Sequence, residues 1–153
     1  MPDLLTFALG GHRFALPASA VVEALRVVAA APLPSAPPIV EGVINVRGAL
    51  VPVLDVRARF GLPPAEVDPD QHLIVARAGA RPVALRVDRA LDLITVAENE
   101  IEPVEHVSPG TALVAGLARL PDGVLVIHDP DRFLALDEAA RLEAAVAVAA
   151  GGA

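Results

Sequence analysis

At 153 residues, 54% of them hydrophobic and with a mean hydropathy of +0.56, the chain carries enough apolar material for one domain or two small, intimately packed ones. A net charge of −7 and a pI near 4.9 disfavour nucleic acid and anionic membranes as partners, and with no Trp, no Tyr and only four Phe there is no platform for stacking bases. All twelve basic residues are Arg and there is no Cys, which excludes a Schiff-base or phosphate-loop lysine, a thiol nucleophile, a disulfide and a thiolate metal site within the chain, and fits a reducing cytoplasm.

Taken in order, Leu5, Phe7 and Leu9 alternate with Thr6 and Ala8, and Gly10-Gly11 turns the chain into His12–Leu16, which predicts a β-hairpin. That first run is too short and lacks the basic flank of a secretory signal, and no apolar stretch approaches the ~20 residues of a membrane span, so a soluble protein without membrane insertion is expected. After Pro17, Ser19 is placed to cap a helical turn ahead of Val21–Val28, whose periodicity leaves helix and strand both open. Pro32, Pro34, Pro37 and Pro38 make the next stretch an extended surface connection. Two apolar runs follow, Val43–Arg47 and Leu50–Leu54, joined by Gly48-Ala49 read as a two-residue Gly-X turn. Asp55 is expected to cap a short helix that Gly61 stops. A second exposed connection runs to Gln71. Short β-branched runs then recur at 72–77, 82–89, 92–96, 113–117 and 123–128, the spacing of barrels or sandwiches. Asp129-Pro130 supplies a cap and first-turn proline for a helical turn through Phe133, and 137–150 reads as a docked terminal helix with Leu142 and Val146 on one face.

No catalytic constellation emerges. His12, His72, His106 and His128 are scattered, Ser108 sits in a turn-like Val-Ser-Pro-Gly, and Asp129 next to His128 is committed to capping. The acidic stretch Glu98, Glu100, Glu102 and Glu105 lacks the spacing of a calcium loop and reads as a solvated face. The residue singled out is Arg47, because a guanidinium held beside the turn of a stiff hairpin can read a carboxylate on a partner, where a loop arginine is swept by solvent. Its ordinary reading is a solvated surface arginine.

The string Gly42-Val-Ile-Asn45-Val-Arg47-Gly48, followed by Pro52-Val-Leu-Asp55-Val-Arg57-Ala-Arg-Phe60-Gly61, resembles the signature of the CheW family, the coupling proteins of bacterial chemotaxis. Phe7–Pro17, Val21-Val22-Glu23, Val87-Asp88, Ala115-Gly116-Leu117 and Val124–Asp129 extend the similarity over nearly the whole chain. The resemblance implies a mainly β fold of two intertwined five-stranded SH3-like barrels with short helices over residues 1–136, followed by a C-terminal helix and tail over 137–153. It implies a non-catalytic, cofactor-free adaptor between the cytoplasmic tips of methyl-accepting chemoreceptors and the regulatory domain of a CheA-type histidine kinase, in the cytoplasm at membrane-associated receptor arrays. An array component without coupling activity, an adaptor of a pilus-type pathway and a small-ligand-binding barrel are the alternatives. Carried over residue by residue, the receptor-binding positions are Arg47, Glu23 and Val21, with Glu23 and Arg47 expected to pair. Gly42, Asn45, Gly48 and Asp55 also match, as hairpin and capping residues. Ala24, Ala84 and Arg86 depart from the family pattern, Arg86 standing where an apolar residue is usual.

Overall fold

The computed structural model describes residues 2–103 and 114–151. Among the described residues eleven strands form two sheets: β1 (Asp3–Leu9), β2 (His12–Pro17), β3 (Val21–Arg26), β4 (Val40–Val46), β5 (Ala49–Leu54), β6 (His72–Ala78), β7 (Arg81–Val87), β8 (Arg89–Thr95), β9 (Ile101–Pro103), β10 (Val114–Leu120) and β11 (Gly123–His128). One sheet has the order β8-β1-β2-β11-β10-β9 and the other β3-β6-β7-β5-β4, so the first joins strands from both ends of the chain and the second is built from the stretch between them. The helices among the described residues are α1 (Val56–Arg59), α2 (Leu136–Gly151) and single 3-10 turns.

The registers reveal an internal repeat. In one sheet Gly42 lies opposite Val53, Val53 pairs in parallel with Ala84, and Ala84 lies opposite Val75. In the other, Gly116 lies opposite Ile127, Ile127 pairs in parallel with Ala15, and Ala15 lies opposite Thr6. A one-residue bulge precedes each glycine, at Glu41 and at Ala115. The same superposition matches the two barrel interiors: Leu4, Ala15, Ala118, Leu125 and Ile127 fill one, and Leu73, Ala84, Ile44, Val51 and Val53 the equivalent places in the other. The larger core lies between the barrels, where Phe7, Leu9, Leu16 and Leu54 meet Ile74, Ala76, Leu85 and Phe133. Each half of the chain thus contributes a hairpin to the barrel the other half completes, which is how the two barrels, one of five strands and one of six, intertwine.

Each barrel closes where the chain after its edge strand crosses to the opposite edge. In the five-stranded sheet that closure is a single bridge, with Ala31 N donating to Val43 O at 2.9 Å and Val43 N to Ala31 O at 2.8 Å. In the other it widens into β9, which pairs with β10 through Ile101, Glu102 and Pro103 and makes a sixth strand. The acidic stretch read as a solvated face therefore contains this strand, with Glu98–Glu100 as the 3-10 turn before it. Glu105, His106 and Ser108 lie outside the described residues.

Several expectations are corrected. The central hairpin turns at Arg47-Gly48, with Val46 opposite Ala49, in place of a Gly48-Ala49 turn. Both turn residues have positive φ, 51° at Arg47 and 87° at Gly48, as a type I′ turn requires; this turn matches the twist of the flanking strands. The 3-10 turn Ala18–Ala20 has Pro17 at its N-cap and no side-chain cap, so Ser19 does not serve as one. Val21–Arg26 is a strand. The run read as 82–89 breaks at Asp88, a corner between β7 and β8. Its carboxylate accepts from Gly10 N at 2.8 Å and pairs with Arg57 at 2.5 Å, tying three elements together. Asp55 caps α1 by accepting from Arg57 N, and Asp129 caps the 3-10 turn Pro130–Arg132. On α2, Leu142, Ala145 and Val146 are buried against Leu33, and Arg59–Glu138 and Arg81–Glu143 ion pairs fasten the helix.

Candidate functional site

The site is built at one mouth of the five-stranded barrel. Glu23 on β3 lies opposite Val75, and Leu25, two residues on, lies opposite Leu73; both partners face the barrel interior, so Glu23 stands at its rim on the same side. The β4–β5 turn approaches from the other edge of the sheet. Arg47 meets Glu23 in a two-pronged pair, Nη1 to Oε2 at 2.5 Å and Nη2 to Oε1 at 3.1 Å. The fork geometry fixes the orientation of both groups. Glu23 keeps only 18% of its side chain exposed whereas Arg47 keeps 76%, so the guanidinium is anchored on one side and open to solvent on the other.

The neighbouring motif residues build this presentation. Asn45 Oδ1 accepts from Gly48 N at 2.8 Å, bridging the turn that carries Arg47. Gly42 serves the closure behind it: a Cβ there would sit 2.4 Å from Ala31 O and 2.9 Å from Ala30 Cβ. That requirement goes beyond hairpin geometry. Val21 is half-buried, packed against the core between the barrels and separated from Glu23 by a bulge at Val22, so the structure puts Glu23 and Arg47 together but not Val21 with them.

Magnitudes separate structure from function here. A non-glycine residue in the left-handed region costs roughly 1–2 kcal/mol, while an exposed ion pair returns about 0.2–1 kcal/mol. Arg47 is therefore not explained by stability, and strain held at such a position points to function. The repeat supplies an internal control. At the equivalent turn of the other barrel stand Pro121 and Asp122, and the counterpart of Glu23 is Asp92, whose backbone is held by the buried Thr6 hydroxyl: Asp92 N donates to it at 2.9 Å and it donates to Asp92 O at 3.1 Å. That turn carries no arginine of its own; Arg13 reaches Asp122 from β2 at 3.6 Å.

Arg86, the departure from the family pattern, is 6% exposed on β7. Glu41, the bulged residue of β4, accepts from its Nε and Nη2, and Ala65 O, Glu66 O and Gln71 Oε1 take its remaining donors. The Glu41 hydrogen bonds raise its pKa above the ordinary guanidinium value against the opposing effect of burial, so it stays charged. It fastens the Gly61–Gln71 connection to the barrel wall, a role no local pattern announced. The sequence signal that existed was an arginine inside an apolar strand.

His128 lies in the cluster of all four phenylalanines, stacked on Phe60 with ring centroids 3.9 Å apart and edge-on to Phe14. Asp129 directs its oxygens to Asp131 N and Arg132. Among the described residues no group of three His, Cys, Asp or Glu could hold a metal ion, and no helix is long and apolar enough to cross a membrane.

Comparison with known proteins agrees with this architecture. The family profile of the CheW-like domain matches residues 3–138. The chain is 38% identical over 106 residues to the chemotaxis protein CheW of Rhizobium meliloti, covering 69% of this chain and 68% of that one. It is 27% identical over 143 residues to the CheW of Klebsiella aerogenes, covering 92% and 86%. The crystal structure of the scaffolding protein TtCheW from Thermoanaerobacter tengcongensis superposes with a TM-score of 0.81 at 29% identity, over 90% of this chain and 96% of that one. Fold, repeat and sequence agree: the chain belongs to the CheW-like domain family.

Proposed function

We propose that the protein is a non-catalytic signalling adaptor of a chemotaxis system, joining the cytoplasmic tip of a methyl-accepting chemoreceptor to the regulatory domain of a CheA-type histidine kinase at cytoplasmic receptor arrays. The observation that carries this reading is Arg47: a strained, solvent-facing guanidinium, held at a barrel rim by Glu23, in a chain of the CheW-like domain family. The oriented charge reads a carboxylate on the receptor helix bundle and contributes orientation and specificity more than affinity. Glu23 acts through Arg47, as a positioning residue. Val21 supports the strand from within.

The test is kinase output. Autophosphorylation of the cognate kinase is followed with receptor-bearing membranes, with and without the protein. A coupling adaptor makes kinase activity depend on receptor and its ligand state. A protein that binds both partners and leaves autophosphorylation unchanged is an array component without coupling activity.

A further inference from the structure

Where β3 ends and β6 and β8 begin, Arg26, His72 and Arg89 line one cavity of about 220 Å³, walled by Pro69, Asp70 and Gln71. Eight of the arginines, Arg47, Arg57 and Arg86 among them, lie within ion-pair distance of a carboxylate. Four arginines, Arg26, Arg77, Arg89 and Arg141, make no side-chain ion pair or hydrogen bond among the described residues, and two of them, Arg26 and Arg89, share this cavity, in a chain with 19 acidic residues to 12 basic ones. Asp70 shares the rim without reaching ion-pair distance of either, and its single carboxylate leaves the cavity net positive.

The remaining groups are preorganised. His72 Nδ1 accepts from Ala90 N at 3.0 Å, which fixes the ring and leaves Nε2 as its donor. The wall is a built turn: Gln71 N donates to Asp68 O, Asp68 N donates to Gln71 Oε1, both at 3.0 Å, and Gln71 O accepts from Val27 N at 3.1 Å. Arg86 also donates to Gln71 Oε1, so the wall is tied to the barrel.

We propose that this cavity is a binding site for a phosphate group. Two guanidinium forks and an imidazole N–H present more donors than the two oxygens of a carboxylate use, while a phosphate offers three or four oxygens and a second charge. The site is separate from Arg47 and Glu23 and independent of the adaptor reading.

The experiment is an NMR titration of the full chain with inorganic phosphate at constant ionic strength, observing the Arg Nε–H and His72 ring resonances. Saturable shifts at Arg26, Arg89 and His72, lost in an Arg26→Ala/Arg89→Ala variant of unchanged melting temperature, are expected. Shifts that never saturate, or that persist in the variant, overturn the site. Equal saturation by acetate overturns the choice of phosphate. Phenyl phosphate alongside separates the sources: binding as tight or tighter assigns an esterified phosphate, and exclusion assigns the free ion.

Discussion

Replacing Gly42 by alanine tests the closure of the five-stranded barrel. The added Cβ would lie 2.4 Å from Ala31 O, 2.9 Å from Ala30 Cβ and 3.1 Å from Ala31 C, and two of these are backbone atoms that no rotamer change can move. Relief requires the crossing segment to withdraw, which breaks the two hydrogen bonds of the Ala31–Val43 bridge. At about 1 kcal/mol net per bond, with ~1 kcal/mol more for displaced packing, the loss is roughly 2–4 kcal/mol. For a domain of this size that is a fall in melting temperature of roughly 5–15 °C. Urea unfolding followed by far-UV circular dichroism gives the free energy directly, with the m-value as a check on two-state behaviour. A loss below about 0.5 kcal/mol would mean the bridge is not a structural closure and the reason for glycine at this position lies elsewhere.

The equivalent Gly116→Ala change is milder, since its Cβ would meet Glu102 O at 3.0 Å; in the same urea assay its loss should be less than half that of Gly42→Ala. Arg86→Met leaves Glu41 partly buried without its partner and should cost about 3 kcal/mol, the low end for breaking a buried pair because Glu41 keeps 24% of its side chain exposed. In the parent protein the Arg86 pKa is raised, so its contribution is fully present below the ordinary guanidinium pKa and is lost only as pH rises through the still higher folded value. Denaturant midpoints from pH 7 to pH 10 should therefore show no loss attributable to it. Arg47→Asn exchanges a strained arginine for a residue that tolerates the left-handed region; with roughly 1–2 kcal/mol of strain relieved against an ion pair of about 0.2–1 kcal/mol, urea melts should show no loss of stability and a gain of up to about 1 kcal/mol, and pull-down on a receptor-tip fragment should show loss of binding.

Elements with local causes were legible in the sequence. Alternation announced β1 and β2, Asp55 and Asp129 announced their caps through backbone donors two residues on, and the Leu142/Val146 stripe announced the docked face of α2. What local pattern did not reveal was non-local. The repeat keeps the strand positions rather than the identities of the residues, Phe14 matching Val83 and Thr6 matching Val75, so it surfaces only through strand register. The turn was misplaced by one residue because Gly48 alone fits a Gly-X turn, whereas Asn45 bridging to Gly48 N selects Arg47-Gly48. Arg47 takes a positive φ of 51° there, a conformation that non-glycine residues rarely adopt and that no local pattern announces. The Glu23–Arg47 pair came from family resemblance, since its partners stand on opposite edges of a sheet. The clamps by Arg57 and Arg86 join elements distant in sequence, and no periodicity encodes them.

The proposed role of Arg47 as a partner-reading group on an intact fold is tested most directly by calorimetric binding of the protein and its Arg47→Glu variant to a receptor-tip fragment and to the kinase regulatory domain. The prediction is that the charge reversal abolishes receptor binding, leaves kinase binding in place and keeps the melting temperature within a few degrees, as surface substitutions usually do. Receptor binding retained by the variant, or a variant that fails to fold, would contradict the claim.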